Sequence, residues 1–140
     1  MTDYSLRLDF RAPDFGTPVD VLYEEGLKMA EWADQHGFRE VSLSEHHCSP
    51  DNYLPSPLVM GAAIAARTEH VKIRMSAMAL PLHNPIRLAE DIAVLDQISK
   101  GRVELVFAGG YVPAEFALFN KRLEDRGKLM EDYLDILYKA

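Results

Sequence analysis

One alternation constrains this chain more than any other feature. A short run of strand-type residues is followed by a longer run of helical periodicity, and the pattern is repeated along the whole length. Strand-type runs begin near residues 6, 40, 71 and 103, a spacing of roughly 33 residues and one βα unit per period. Such units pair their strands in parallel, because each helix returns the chain to the edge from which the next strand starts. Strands of this kind are expected to be buried on both faces. Two architectures use the pattern. One is an open doubly wound sheet; the other is a closed barrel of eight units, which takes about 250 residues. The 140 residues hold units for four strands, so periodicity alone leaves an open sheet and a piece of a barrel both standing. No linker, charge block or low-complexity tract interrupts the units, so residues 1–140 read as a single domain, truncated if it belongs to a barrel.

The elements can be placed from local signals. Strands are expected at Leu6–Phe10, Glu40–Ser44, Val71–Ala79 and Arg102–Phe107. Thr17-Pro18, Ser56-Pro57 and Asn84-Pro85 each read as an N-cap followed by a first-turn proline. The first helix runs to about His36, with Val21, Leu22, Met29, Trp32 and Ala33 as its buried stripe and Leu27 and Ala30 beside it. The second, Leu58 to about Thr68, is small and apolar and suits close approach to a neighbour. The third, Ile86–Lys100, presents Leu88, Ala89, Ile92, Leu95 and Ile98 on one face. Gly37 and Gly101 stop the first and third helices. A short segment spans Pro113–Phe119, and an amphipathic helix closes the chain from about Arg122 to Tyr138.

Composition excludes more than it identifies. A formal net charge of -7 argues against a nucleic-acid or anionic-membrane surface, which needs clustered cations. Cys48 is the one cysteine, so no intrachain disulfide forms, in keeping with a reducing cytoplasm. The N-terminus carries no signal-peptide pattern, and no apolar run approaches the roughly 20 residues of a membrane span.

In either architecture, ligands bind where the strands end. Glu45-His46-His47 follows the second strand, His83-Asn84 the third and Ala108-Gly109-Gly110-Tyr111 the fourth. Adjacent histidines point to opposite sides, so one imidazole can face a pocket as a base or hydrogen-bond donor while the other packs outward. A solvated loop is the plainer alternative. A metal site is the weakest, since the triplet lacks the i, i+4 spacing of helical zinc ligands and Cys48 has no CxxC partner. The glycines after the fourth strand allow close backbone approach by a flat or phosphorylated ligand, or serve a plain turn. Met75-Ser76-Ala77-Met78 leaves room for something planar, or packs ordinarily under a helix. His83 fits the capping turn better than a catalytic role. P-loop and GxSxG motifs are missing from the sequence.

Four stretches together resemble the bacterial luciferase-like monooxygenases: WADQHGFREVSLSEHH, YLPSPLVMGAAIAARTEHVKI, ALPLHNPIRLAEDIAVLDQISKGRVEL and GGYVPAEF. The resemblance implies the N-terminal half of a TIM (β/α)8 barrel. It implies a flavin-dependent oxidoreductase that oxidises a small organic substrate with reduced FMN and oxygen, or uses coenzyme F420 instead. It places the active-site histidine at His46, with Glu45 orienting the loop, and a non-prolyl cis peptide at Ser76-Ala77 against the flavin ring. Phosphate contacts fall on Gly109 and Gly110, although Val106 and Ala108 stand where many relatives have glycine. Half a barrel leaves two raw sheet edges, so a second copy or a complementary half is expected as partner. The alternative reading is a non-catalytic half-barrel that acts as an interaction module.

Overall fold

A computed structural model describes residues 2–140 of the chain. Four strands, β1 (Ser5–Leu8), β2 (Glu40–Leu43), β3 (Lys72–Ala79) and β4 (Val103–Ala108), form one parallel sheet in the order β1-β2-β3-β4. The helices are α1 (Val19–Gln35), α2 (Pro57–Arg67), α3 (Pro85–Ser99), α4 (Pro113–Leu118) and α5 (Arg126–Leu137). Every strand adds to the same edge. A doubly wound sheet reverses its direction of growth and takes helices on both faces. Sequential order with one covered face is instead an arc of a (β/α) barrel.

The pleat makes the two faces chemically different. Val41, Leu43, Ile73 and Met75 alternate on the covered face and are fully buried. Ser42, Arg74 and Ser76 alternate with them and stay half-buried. The expectation of strands buried on both faces is therefore corrected: within these residues only the helix-covered face is sealed. The opposite face carries ions, with Arg74 Nη1 lying 3.6 Å from Glu40 and 3.8 Å from Glu104. Arg7 donates to Ser44 Oγ at 3.3 Å on the same side.

Three local features set the helices on the sheet. Gly61 lies in α2 against Met75 and Ile73, and a Cβ there would collide with the Met75 methyl, so the small-residue helix does lie close. Asp34, in the last turn of α1, accepts from the backbone N–H groups of Glu69, His70 and Val71 at 2.9, 2.7 and 2.7 Å. Burial opposes ionisation of this carboxyl, but the three donors outweigh it and lower its pKa. Arg102 donates to the carbonyls of Ala65, Thr68, Val71 and Ser99 and to Thr68 Oγ1, all at 2.8–2.9 Å. It thereby caps the C-terminus of α2 and fixes the entry to β4.

Several boundaries and faces differ from the sequence reading. Asn84 caps α3 as expected, accepting from Ile86 and Arg87 N–H at 3.1 Å each. Thr17 does not cap α1: Pro18 occupies that position, which has no side-chain cap. Ser56 stands at the N-cap of α2 but makes no capping hydrogen bond. On α1 the buried residues are Gly26, Ala30 and Ala33, whereas Val21, Met29 and Trp32 face outward at 45, 48 and 53 % exposure. Trp32 stacks on His36 instead, centroids 4.2 Å apart. Ile98 is likewise exposed. Phe10 leaves the first strand with a φ of 54° and packs inward. The last helix starts at Arg126, behind a 3-10 turn over Leu123–Asp125. Among the described residues no helix is long and apolar enough to cross a membrane.

Candidate active site

Four chain segments meet at the C-terminal rim of the sheet. Ser44 is the first residue past β2, and its hydroxyl donates to the Ser76 carbonyl on β3 at 2.7 Å. This bond holds the ends of β2 and β3 side by side. His46 and the Ser76–Ala77 peptide consequently lie on one rim. That peptide bond is cis, and the β3–β4 register slips between Ser76 and Met78. Ser76, Ala77, Ala108, Gly109 and Gly110 are all half-buried. Together they leave a low shelf of small residues across the ends of β3 and β4. Gly110 turns the chain with a φ of 73°, and a Cβ there would meet the Phe116 ring at 2.9 Å, so only glycine fits.

The two histidines diverge as their adjacency requires, and each meets a different carboxylate. His46 Nδ1 lies 3.0 Å from Glu115 Oε1 on α4. The same oxygen accepts the backbone N–H of His47 at 2.9 Å. His46 is flanked edge-on by Tyr53 and Tyr111, at centroid distances of 4.8 and 6.0 Å. Its ring is 30 % exposed, whereas the Glu115 side chain is 7 % exposed. An open cavity of about 570 Å³ lies in front of it, lined among others by Arg11, Cys48, Tyr53, Tyr111 and Leu118. Arg11 reaches this rim from the loop after β1 and pairs with Asp51 at 2.5 Å. A more apolar cleft of about 490 Å³ lies away from the histidines, between α3 and α5.

Glu45 faces the other way. Its side chain is fully buried and does not line the cavity in front of His46. His47 Nε2 lies 2.9 Å from its Oε1, and the Ala79 N–H donates to Oε2 at 2.7 Å. His83 Nε2 comes within 2.8 Å of Oε1 but lacks the alignment of a hydrogen bond. Burial pushes this carboxyl up; the two imidazoles and the backbone donor overcome that and hold it at about 2. Glu45 is thus a buried anion that ties the loop after β2 to the end of β3.

A pH effect on stability follows. The folded-state pKa is depressed below the ordinary 4.5, so the contribution of Glu45 is complete above pH 4.5. It is lost as pH falls toward 2, because the unfolded chain takes up the proton first. The loss is on the order of 3 kcal/mol. Urea unfolding of wild type and Glu45→Gln at pH 5, 4 and 3 checks this: the wild type should weaken more steeply. Parallel pH profiles would count against it.

Sequence reasoning named His46, Glu45, Ser76, Ala77, Gly109 and Gly110, and all six stand at the C-terminal rim. It missed Glu115, Tyr53 and Lys121, and placed Tyr111 only in the loop after the fourth strand, without a partner. Lys121 donates to the Pro81 carbonyl, to His83 O at 3.0 Å and to Tyr133 Oη at 3.3 Å, fastening the loop after β3. It also read His83 as part of a capping turn; the residue does precede the Asn84 cap, but its ring turns inward to Glu45. Among the described residues no cluster of three or more potential metal ligands occurs.

Comparison with known proteins fits this geometry. The family described as luciferase-like monooxygenase matches residues 10–140. Limonene 1,2-monooxygenase of Rhodococcus erythropolis is 32 % identical over 148 aligned positions, which cover 99 % of this chain and 37 % of that protein. The crystal structure of monooxygenase RslO1 from Streptomyces bottropensis superposes with a TM-score of 0.91 at 29 % identity, over 97 % of this chain and 42 % of that one. The oxygenating constituent of 3,6-diketocamphane monooxygenase of Pseudomonas putida, in complex with FMN, gives 0.89 at 25 % identity, over 99 % and 39 %. The chain spans between a third and a half of the length of these relatives.

Proposed function

This chain belongs to the luciferase-like monooxygenases, and from that premise we propose that it supplies the histidine-bearing half of a flavin-dependent oxidoreductase acting on a small organic substrate. The observation that carries the reading is the placement, on one rim, of the Ser76–Ala77 shelf and of the His46 imidazole, which lines a cavity of about 570 Å³. The shelf passes a simple fit test. Residues 76, 77, 108, 109 and 110 have nothing larger than a serine side chain, and a Cβ at Gly109 would meet only Arg126, at 3.8 Å. A planar ring can therefore approach the backbone there.

FMN is the proposed cofactor, with F420 as the alternative. When bound, it supplies the redox chemistry with oxygen and substrate. Ser76 and Ala77 would support the ring, and Gly109 and Gly110 would offer backbone N–H groups near its phosphate side chain. His46 lies at the cavity wall, where Nε2 can take or return a proton. Tyr53 and Tyr111 flank the imidazole edge-on. Glu45 keeps the loop in register from behind. The charged inner face of the sheet supports a further part of the reading: a complementary half-barrel or second copy covers it in the working enzyme. The single Cys48 supports a cytoplasmic setting.

Titration of the chain with FMN and with F420, followed by flavin fluorescence alongside light scattering, tests the proposal. Binding by a dimer or by a complex with a complementary half is expected. A well-folded monomer that binds neither cofactor, with or without the partner half, would favour the interaction-module reading instead.

A further inference from the structure

We infer that Glu115 is the positioning residue for His46: it holds the imidazole as the Nδ1–H tautomer and leaves Nε2 bare toward the cavity. The inference deepens the proposed function and rests on it for the role of His46, but its geometric content stands by itself. Glu115 comes from α4, 69 residues along the chain from His46. Its Oε1 receives two groups from consecutive residues, His46 Nδ1 at 3.0 Å and His47 N–H at 2.9 Å. A carboxylate only accepts, so the proton in the first contact must sit on the histidine. Among the described residues His46 makes no hydrogen bond through Nε2. The ring is flanked edge-on by Tyr53 and Tyr111 at 4.8 and 6.0 Å.

The arrangement is that of a base oriented by a third group, which fixes the ring and stabilises the cation formed when the base takes a proton. Glu45 cannot fill this role for His46, because its oxygens are committed to His47, His83 and the Ala79 N–H. Each imidazole of the pair thus has its own carboxylate; both residues line the cavity, and the ring paired with Glu115 is the more exposed to it, at 30 % against 13 %.

The test is ¹⁵N NMR of the imidazole groups in the full chain, with turnover measured in the complete enzyme. Wild type should carry the His46 proton on Nδ1. Glu115→Ala should move it toward Nε2, and turnover should fall roughly 10- to 100-fold with little change in KM. Glu115→Gln keeps an acceptor oxygen and should retain the tautomer and recover part of the rate. A wild-type proton on Nε2, or a tautomer unmoved in folded Glu115→Ala, overturns the inference. If Glu115→Ala loses its fold, the wild-type spectrum alone decides. Failure of flavin binding with a Glu115-dependent tautomer would count against the proposed function while leaving this inference intact.

Discussion

Replacement of His46 by alanine is expected to slow turnover of the complete enzyme by roughly 100- to 10,000-fold, the range for loss of a positioned acid–base group. Flavin affinity should stay nearly unchanged. The reason lies in the division of the rim. The shelf proposed to take the ring is made of backbone and small side chains at Ser76, Ala77 and Gly109, none of which His46 holds in place. The bond that aligns the two strand ends runs from Ser44 to the Ser76 carbonyl at 2.7 Å, and the buried anchor is Glu45. Steady-state kinetics with separate flavin titration checks this. A large loss of flavin binding with an unchanged rate constant would show that His46 is a binding residue and that the proton-transfer role is wrong.

The second large effect concerns stability. Arg102→Ala should destabilise the fold by about 3 kcal/mol or more, since it strips partners from four backbone carbonyls and a threonine hydroxyl at the N-terminal end of the sheet. For a domain of this size that is a fall in Tm of roughly 6–12 °C. Arg102→Lys should recover only a small part, because an ammonium cannot reproduce the planar fork that reaches Ala65, Thr68 and Val71 together. Thermal unfolding of the three proteins decides it; a loss below about 1 kcal/mol would mean that water replaces the guanidinium. The substitution lies at the opposite end of the strands from the histidines, so residual activity at low temperature should persist.

What the sequence disclosed, and what it hid, follows from the range of the interactions. Local signals were readable. Asn84 before Pro85 predicts a cap, and its side chain makes both capping bonds. Adjacency alone forces His46 and His47 apart. The four βα units are legible because hydrophobic periodicity is a property of neighbours in the chain. Face assignment on α1 was legible only in part. Ala30 and Ala33 are buried and Leu22 and Leu27 pack on the core, but Val21, Met29 and Trp32, which satisfy a helical stripe equally well, face outward and Gly26 takes a buried place. Only the close approach of the sheet, which admits small residues and excludes large ones, selects between them. Thr17 looked like a cap because hydroxyl-proline pairs usually are; the chain turns one residue later. Glu115 lies within a stretch quoted for its resemblance, yet nothing in its spacing links it to a histidine 69 positions away. Arg102 reaches partners 31–37 residues back by the same kind of long-range closure.

The back-to-back placement of His46 and His47, each with its own carboxylate, has a consequence for how this loop can vary. Side chains at a strand end alternate, so their parity is fixed from Ser44 onward. Insertion or deletion of a single residue between Ser44 and His47 would exchange the two rings, sending one imidazole to a carboxylate already engaged and leaving the other stranded. Beyond Cys48 the loop is tied down in other ways, by Asp51 to Arg11, by Asn52 to the Ala12 carbonyl and by the buried Leu54 to the backbone of Asp9 and His46. The first three residues of the loop after β2 are therefore held to a fixed count by side-chain parity, and its later part by the contacts that return it to the rim.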